Sequence, residues 1–135
     1  MSDKKIAHIG IAVKSLEDWI PYYRDVLGLE YKGSEEVVAQ KVRVAFFKIG
    51  ESMIELLEPT SEDSPISKFI EQRGGGVHHI AVSVDDIEAD LSKHLELGSR
   101  VIDEKPRIGA HDAKIAFVHP TSTGGVLLEL CEDQH

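Results

Sequence analysis

The stretch HIGIAV at residues 8–13 returns as HIAVSV at residues 79–84. A histidine at the head of an apolar run, written twice in one chain of 135 residues, points to a duplicated module. Each half reads as strand, helix, then three strands. KIAHIGIAV alternates and is rich in β-branched residues, as a strand requires. In SLEDWIPYYRDVLGL, Ser15 and Asp18 approximate a capping box, and Leu16, Trp19, Ile20, Tyr23 and Leu27 recur at helical spacing before Gly28. Pro21 inside that pattern predicts an irregular first turn or a late start. Strands are expected near 30–38, 42–49 and 52–58, with a GE hairpin turn between the last two.

The second half repeats the plan. GVHHIAVSV is a strand, and DDIEADLSKHLELG is a helix capped by Asp85 or Asp86 and closed by Gly98. Strands are expected near 100–104, 113–119 and 125–131. Between the halves, SPISKFIEQRGGG predicts a short linking helix with Pro65 at its start. QRGGG lacks both GK[ST] and the GxGxxG spacing, so it reads as a flexible joint rather than a phosphate loop. The expectation is one α+β domain over residues 1–135. Its two modules cover about 4–60 and 76–133, and the linking helix about 64–73.

Bulk properties remove several function classes. A formal charge of -9 argues against a nucleic-acid partner but leaves room for an anionic small ligand beside a few local cations. No apolar run of eighteen residues exists to span a bilayer, and the N-terminus enters an alternating run without a signal-peptide segment. The single cysteine, Cys131, excludes an intrachain disulfide. Cytoplasm is the default expectation, with no membrane partner.

Strand phase then selects four residues. Ile9, Ile11 and Val13 share one face, and His8 lies on the other with Gly10 and Ala12. In the repeat, Ile80, Val82 and Val84 share a face, and His79 lies opposite with Ala81 and Ser83. His79, not His78, is therefore the counterpart of His8. The last strand of each half carries a carboxylate among apolar residues: Glu55 in SMIELLEP and Glu129 in GVLLELCE. Such a carboxylate is costly unless paired or bound to a metal. Two imidazoles and two carboxylates make a mixed N/O set suited to a divalent ion such as cobalt, nickel, zinc or manganese.

Other residues have plainer readings. His78 falls on the Ile80 face and suits a structural role, and His119 suits loop anchoring. His94 and His135 read as solvated. His111, in the loop RIGAHDAK, is a weaker ligand-contact candidate. Cys131 has no evident histidine relay that would make it a nucleophile. Lys41, Arg43, Arg107 and Lys114 are the cations that could meet phosphates.

The paired modules with His8, Glu55, His79 and Glu129 resemble the vicinal oxygen chelate superfamily and, within it, the methylmalonyl-CoA epimerases. HIGIAV, YYRDVLGL, IELLEPTSEDSPISKFIEQRGGGVHHIAVSVDDI, IGAHDAKIAFVHP and GGVLLEL carry the resemblance, which covers nearly the whole chain. It implies two βαβββ modules whose strands form a curved mixed sheet around a metal-binding cleft. It also implies one divalent ion per subunit (cobalt favoured; nickel, manganese or zinc as alternatives), a homodimer, and epimerisation of methylmalonyl-CoA at C2. His8, Glu55, His79 and Glu129 match the metal positions, and Glu129 is also a candidate proton carrier. One departure stands out: Val44 occupies the position of a glutamate found in some bacterial relatives, and valine cannot move a proton. The rivals are a lactoylglutathione lyase, which shares the ligand set, and a metal-free ligand-binding resistance protein.

Overall fold

The computed structural model describes residues 4–133. No helix among them is long and apolar enough to cross a membrane. The chain divides into two compact units, one of residues His8–His78 and the other of the described residues up to Ala7 together with those from His79 onward. The division falls inside two strands, β1 (Lys5–Ala12) and β5 (Gly76–Ser83).

In the His8–His78 unit, β1 leads into a short helix α1 (Leu16–Pro21), then β2 (Glu30–Val37), β3 (Val42–Ile49), β4 (Ser52–Pro59) and α2 (Pro65–Arg73). The strand order is β2-β3-β4-β1. β1 and β4 are parallel and the other pairs antiparallel, so the sheet is mixed. Helix and sheet meet on one face, where Val13, Leu16, Ala45, Phe47 and Leu56 are buried. The predicted strands hold to within a residue or so.

The predicted helix does not keep its form. Ser15 makes no side-chain cap; instead the Glu58 carboxylate, from the end of β4, accepts the Leu16 N–H at 2.8 Å. With the start fixed from outside, the irregularity due to Pro21 falls at the helix end. There the chain widens into a π turn over Tyr22–Val26, with the Leu27 N–H bonded to the Tyr22 carbonyl at 2.8 Å.

The glycine run also differs from its sequence reading. Gly74, at φ 79°, ends α2 as its left-handed cap and donates to the Ile70 carbonyl at 2.7 Å. Gly75 has φ 107°, and a Cβ there would sit 3.0 Å from the Ala12 carbonyl oxygen. These glycines meet a conformational requirement rather than supplying a loose joint.

The other unit contains β5, α3 (Ile87–Glu96), β6 (Arg107–Ile108), β7 (Lys114–Val118) and β8 (Leu128–Glu132) in the order β5-β8-β7-β6. β5 and β8 are parallel and the rest antiparallel, as in the first unit. Its helix packs through Ile87 and Leu91 against Val84, Ala116, Val118 and Leu130. Asp86 caps α3 by accepting from the Ala89 N–H at 3.2 Å, and Glu132 accepts the Ile87 N–H at 2.9 Å.

The strand expected at 100–104 is absent, and Val101 makes only an isolated bridge to Val118. One side chain accounts for this: Asp103 takes the Phe117 N–H at 2.9 Å, displacing a backbone ladder partner. The short strand forms further along, at β6. The α+β class and the two mixed-sheet repeats match the sequence expectation.

Candidate metal centre

Helix packing uses one face of each sheet; the candidate ligands lie on the other. In β1, His8, Gly10 and Ala12 are all buried. The parallel register sets Gly10 beside Glu55, and the antiparallel register sets Phe46 on its other side. Because Gly10 has no side chain, the carboxylate can lean toward the histidine two residues earlier. His8 Nδ1 and Glu55 Oε2 lie 3.0 Å apart, with side chains 10% and 12% exposed.

The second unit repeats this arrangement. Ala81 and Phe117 flank Glu129 in register. His79 Nε2 lies 3.1 Å from Glu129 Oε1, and the His79 ring meets Phe117 nearly perpendicular at 5.6 Å. Ala81, Ala113, Ile115, Phe117 and Cys131 surround the pair with apolar surface.

Four polar side chains are buried among the described residues: His8, Ser64, His79 and Glu129. Ser64 is accounted for by capping α2, where it accepts the Ile66 N–H at 3.2 Å. The remaining three are residues selected by strand phase. His8 in one unit, and His79 and Glu129 in the other, are buried donors of the kinds a divalent metal ion takes. Neutral imidazole nitrogens and a carboxylate oxygen suit a borderline ion, and an ion would offset the burial of the charge. The donor set fits such a group. Glu55, the fourth predicted ligand, stands against His8.

The remaining histidines separate as follows. His78 packs edge-on to Phe69 at 5.0 Å, a structural role as expected. His119 anchors its loop by accepting the Thr121 N–H at 3.1 Å. His94 is half-buried rather than simply solvated, with Nδ1 2.7 Å from the Asp90 carbonyl. His111 adopts φ 57° in a tight turn. His135 lies outside the described residues. Cys131 is a buried free thiol on the Glu129 strand.

Two repeated features escaped the sequence reading. One is the phenylalanine opposite each carboxylate, Phe46 and Phe117. The other is the helix-capping pair Glu58 and Glu132, whose signal was legible as the echo of ELLE in ELCE. Val44 is buried at 3% exposure and pairs with Leu57, so β3 offers hydrocarbon there.

Comparison with known proteins agrees with this geometry. The model of the Glyoxalase/Bleomycin resistance protein/Dioxygenase superfamily matches residues 7–117. The crystal structure of hypothetical protein BH1468 from Bacillus halodurans C-125 is 48% identical, with a TM-score of 0.97 over 99% of this chain and 97% of that one. A variant of Streptomyces coelicolor methylmalonyl-CoA epimerase, in complex with 2-nitronate-propionyl-CoA, is 40% identical with a TM-score of 0.92, covering 96% of this chain and 94% of that one. The ethylmalonyl-CoA/methylmalonyl-CoA epimerase of Cereibacter sphaeroides is 39% identical over 128 residues, 93% of this chain and 96% of its own.

Proposed function

The chain belongs to the glyoxalase/bleomycin resistance protein/dioxygenase superfamily, and we propose that it interconverts the two C2 stereoisomers of methylmalonyl-CoA. The observation that carries this reading is a buried histidine set against a carboxylate in each unit, His8 with Glu55 and His79 with Glu129, together with relatives named as methylmalonyl-CoA epimerases that align along almost the full chain.

In this reading His8, His79 and Glu129 hold one divalent ion, and Glu55 completes the set. Two ligands from either repeat alone would leave a divalent ion under-coordinated, whereas four make a usual mixed N/O shell. An ion held there would supply Lewis acidity, which makes a C–H beside a carbonyl more acidic. Cobalt is the first ion to test.

The C2 hydrogen lies between a thioester and a carboxylate and leaves as a proton. Inversion needs one group to take that proton and another to deliver one to the opposite face of C2. Glu129 is the first carrier, held in place by His79 and walled by Phe117 and Ala81. Glu55, backed by His8, is the second, because the hydrocarbon side chain of Val44 rules out that position on β3. Each repeat thus contributes one carboxylate and one imidazole, and the apolar residues around the His79–Glu129 pair keep bulk water from competing for the proton there. The protein acts as a homodimer in this reading, which sedimentation equilibrium tests directly.

The deciding experiment is proton NMR of chiral methylmalonyl-CoA in deuterated water, with metal-loaded and metal-free protein. Metal-dependent loss of the C2 proton with appearance of the other stereoisomer is expected. No exchange would overturn the reading and send the protein to a hemithioacetal assay. Exchange without inversion would keep Glu129 as a base and remove Glu55 as its partner.

A further inference from the structure

Four cations were candidates for meeting an anionic substrate, and strand phase separates them. Lys41 pairs with Asp63 in the turn region. Arg43 lies on the phase of Ala45 and Phe47, the helix-packed face, and its guanidinium is 3.4 Å from Glu36. Lys114 lies on the phase of Ala116 and Val118, again the helix-packed face. Arg107 differs. It pairs in register with Ile115, which shares a face with Phe117, and Phe117 is opposite Glu129.

The Arg107 side chain is held in a defined posture. Its Cζ lies over the Phe117 ring, 5.4 Å from the centroid, and that ring meets His79 at 5.6 Å. Its Nε lies 3.3 Å from Asp103 Oδ1, while the same carboxylate takes the Phe117 N–H through Oδ2. Asp103 is 16% exposed in its side chain against 47% for Arg107. A half-buried acid thus holds the inner edge of the guanidinium, and an aromatic face supports its plane. A guanidinium fixed at Nε and stacked on a ring is preorganised to take an oxyanion through its two Nη groups.

We infer that Arg107 binds an oxyanion of the acyl-CoA substrate, with Asp103 as the positioning residue that aims it and Phe117 as the platform linking it to His79. The inference rests on the epimerase reading. The oxyanion is either the free carboxylate of the acyl group or a phosphate of the CoA.

The test compares Arg107→Met, which keeps the packing stem over Phe117 but removes the charge, with Arg107→Lys, which restores a charge without the fork. Wild-type C2 exchange is measured first, and its absence would remove the epimerase reading and this inference together. With exchange present, Arg107→Met is expected to raise KM at least about tenfold, with kcat changed less than about threefold. Arg107→Lys is expected to recover part of the loss, and Asp103→Asn to raise KM by a smaller factor. A purely structural Arg107 would show no recovery by lysine and no such split between KM and kcat.

Two truncated ligands identify the anion. Propionyl-CoA lacks the carboxylate and keeps the phosphates, and methylmalonyl-pantetheine does the reverse. Loss of affinity for propionyl-CoA in Arg107→Met assigns the phosphate, and loss for methylmalonyl-pantetheine assigns the carboxylate. Unchanged affinity for both, with exchange intact, overturns the inference alone.

Discussion

Removing the Glu58 carboxylate should destabilise the protein without touching its metal chemistry. Glu58 accepts the N–H of Leu16, the first residue of α1, and Leu16 itself is 5% exposed. Ser15 makes no side-chain cap, so alanine at position 58 leaves this N–H without its acceptor. A buried donor left unsatisfied costs about 1–3 kcal/mol, and an acidic group near a helix N-terminus contributes about 0.3–1 kcal/mol. Glu58→Ala should therefore lose about 2 kcal/mol, or roughly 8 °C in melting temperature for a chain of this size. Glu132→Ala removes the equivalent bond to the Ile87 N–H, which Asp86 does not replace because it accepts from Ala89, so a loss of about 1–3 kcal/mol is expected there too. Glu58→Gln keeps an acceptor oxygen and should lose only the charge contribution, under about 1 kcal/mol. Urea unfolding read by circular dichroism measures these differences, and elemental analysis of the folded protein reads metal content beside them. A Glu58→Ala protein as stable as wild type would refute the capping argument. Loss of bound metal in the folded variant would move Glu58 into the site.

Glu129→Gln should lower metal affinity by at least about a hundredfold and abolish C2 exchange while the protein stays folded, as dialysis against a metal buffer and melting curves would report. Asp63, hydrogen-bonded by Lys41 and then by Ser61, has its carboxyl held down to about 2 from an ordinary 3.8. Its contribution to stability is present above pH 3.8 and fades as the pH falls through about 2; a carbon-detected NMR titration should find that midpoint, and Lys41→Ala should move it back upward. Gly75→Ala forces a side chain to φ 107° against the Ala12 carbonyl oxygen and should cost about 1–3 kcal/mol, whereas a truly loose joint would tolerate it in a denaturation curve.

Strand faces were legible in the sequence because a two-residue period leaves little freedom once one residue is placed. That is why His8 and His79 could be chosen over His78, and why both pairs emerged from phase alone. Features set by contacts distant in the chain were harder to read. The start of α1 depends on a carboxylate from the end of β4, and a local pattern credited Ser15 instead. The strand expected at 100–104 gave way because one side chain, Asp103, out-competed the backbone for the Phe117 N–H. Periodicity does not report such a competition. The two-residue β6 and the π turn after Pro21 arise where local propensity and tertiary bonding disagree.

The echo of ELLE in ELCE shows how much one period can decide when it is followed far enough. Residues three apart on a strand lie on opposite faces. Glu55 and Glu58 therefore diverge, as do Glu129 and Glu132. The first of each pair faces a histidine, and the second reaches the N-terminus of the helix packed on the other side. One short motif, used twice, thus joins the candidate metal centre to the packing that holds its strands. A one-residue slip of β4 or β8 would send the site carboxylate into the helix-packed core and the capping carboxylate out of it. Both errors carry the cost of a misplaced charge, so the chemistry of the site also acts to fix the register of the strand that bears it.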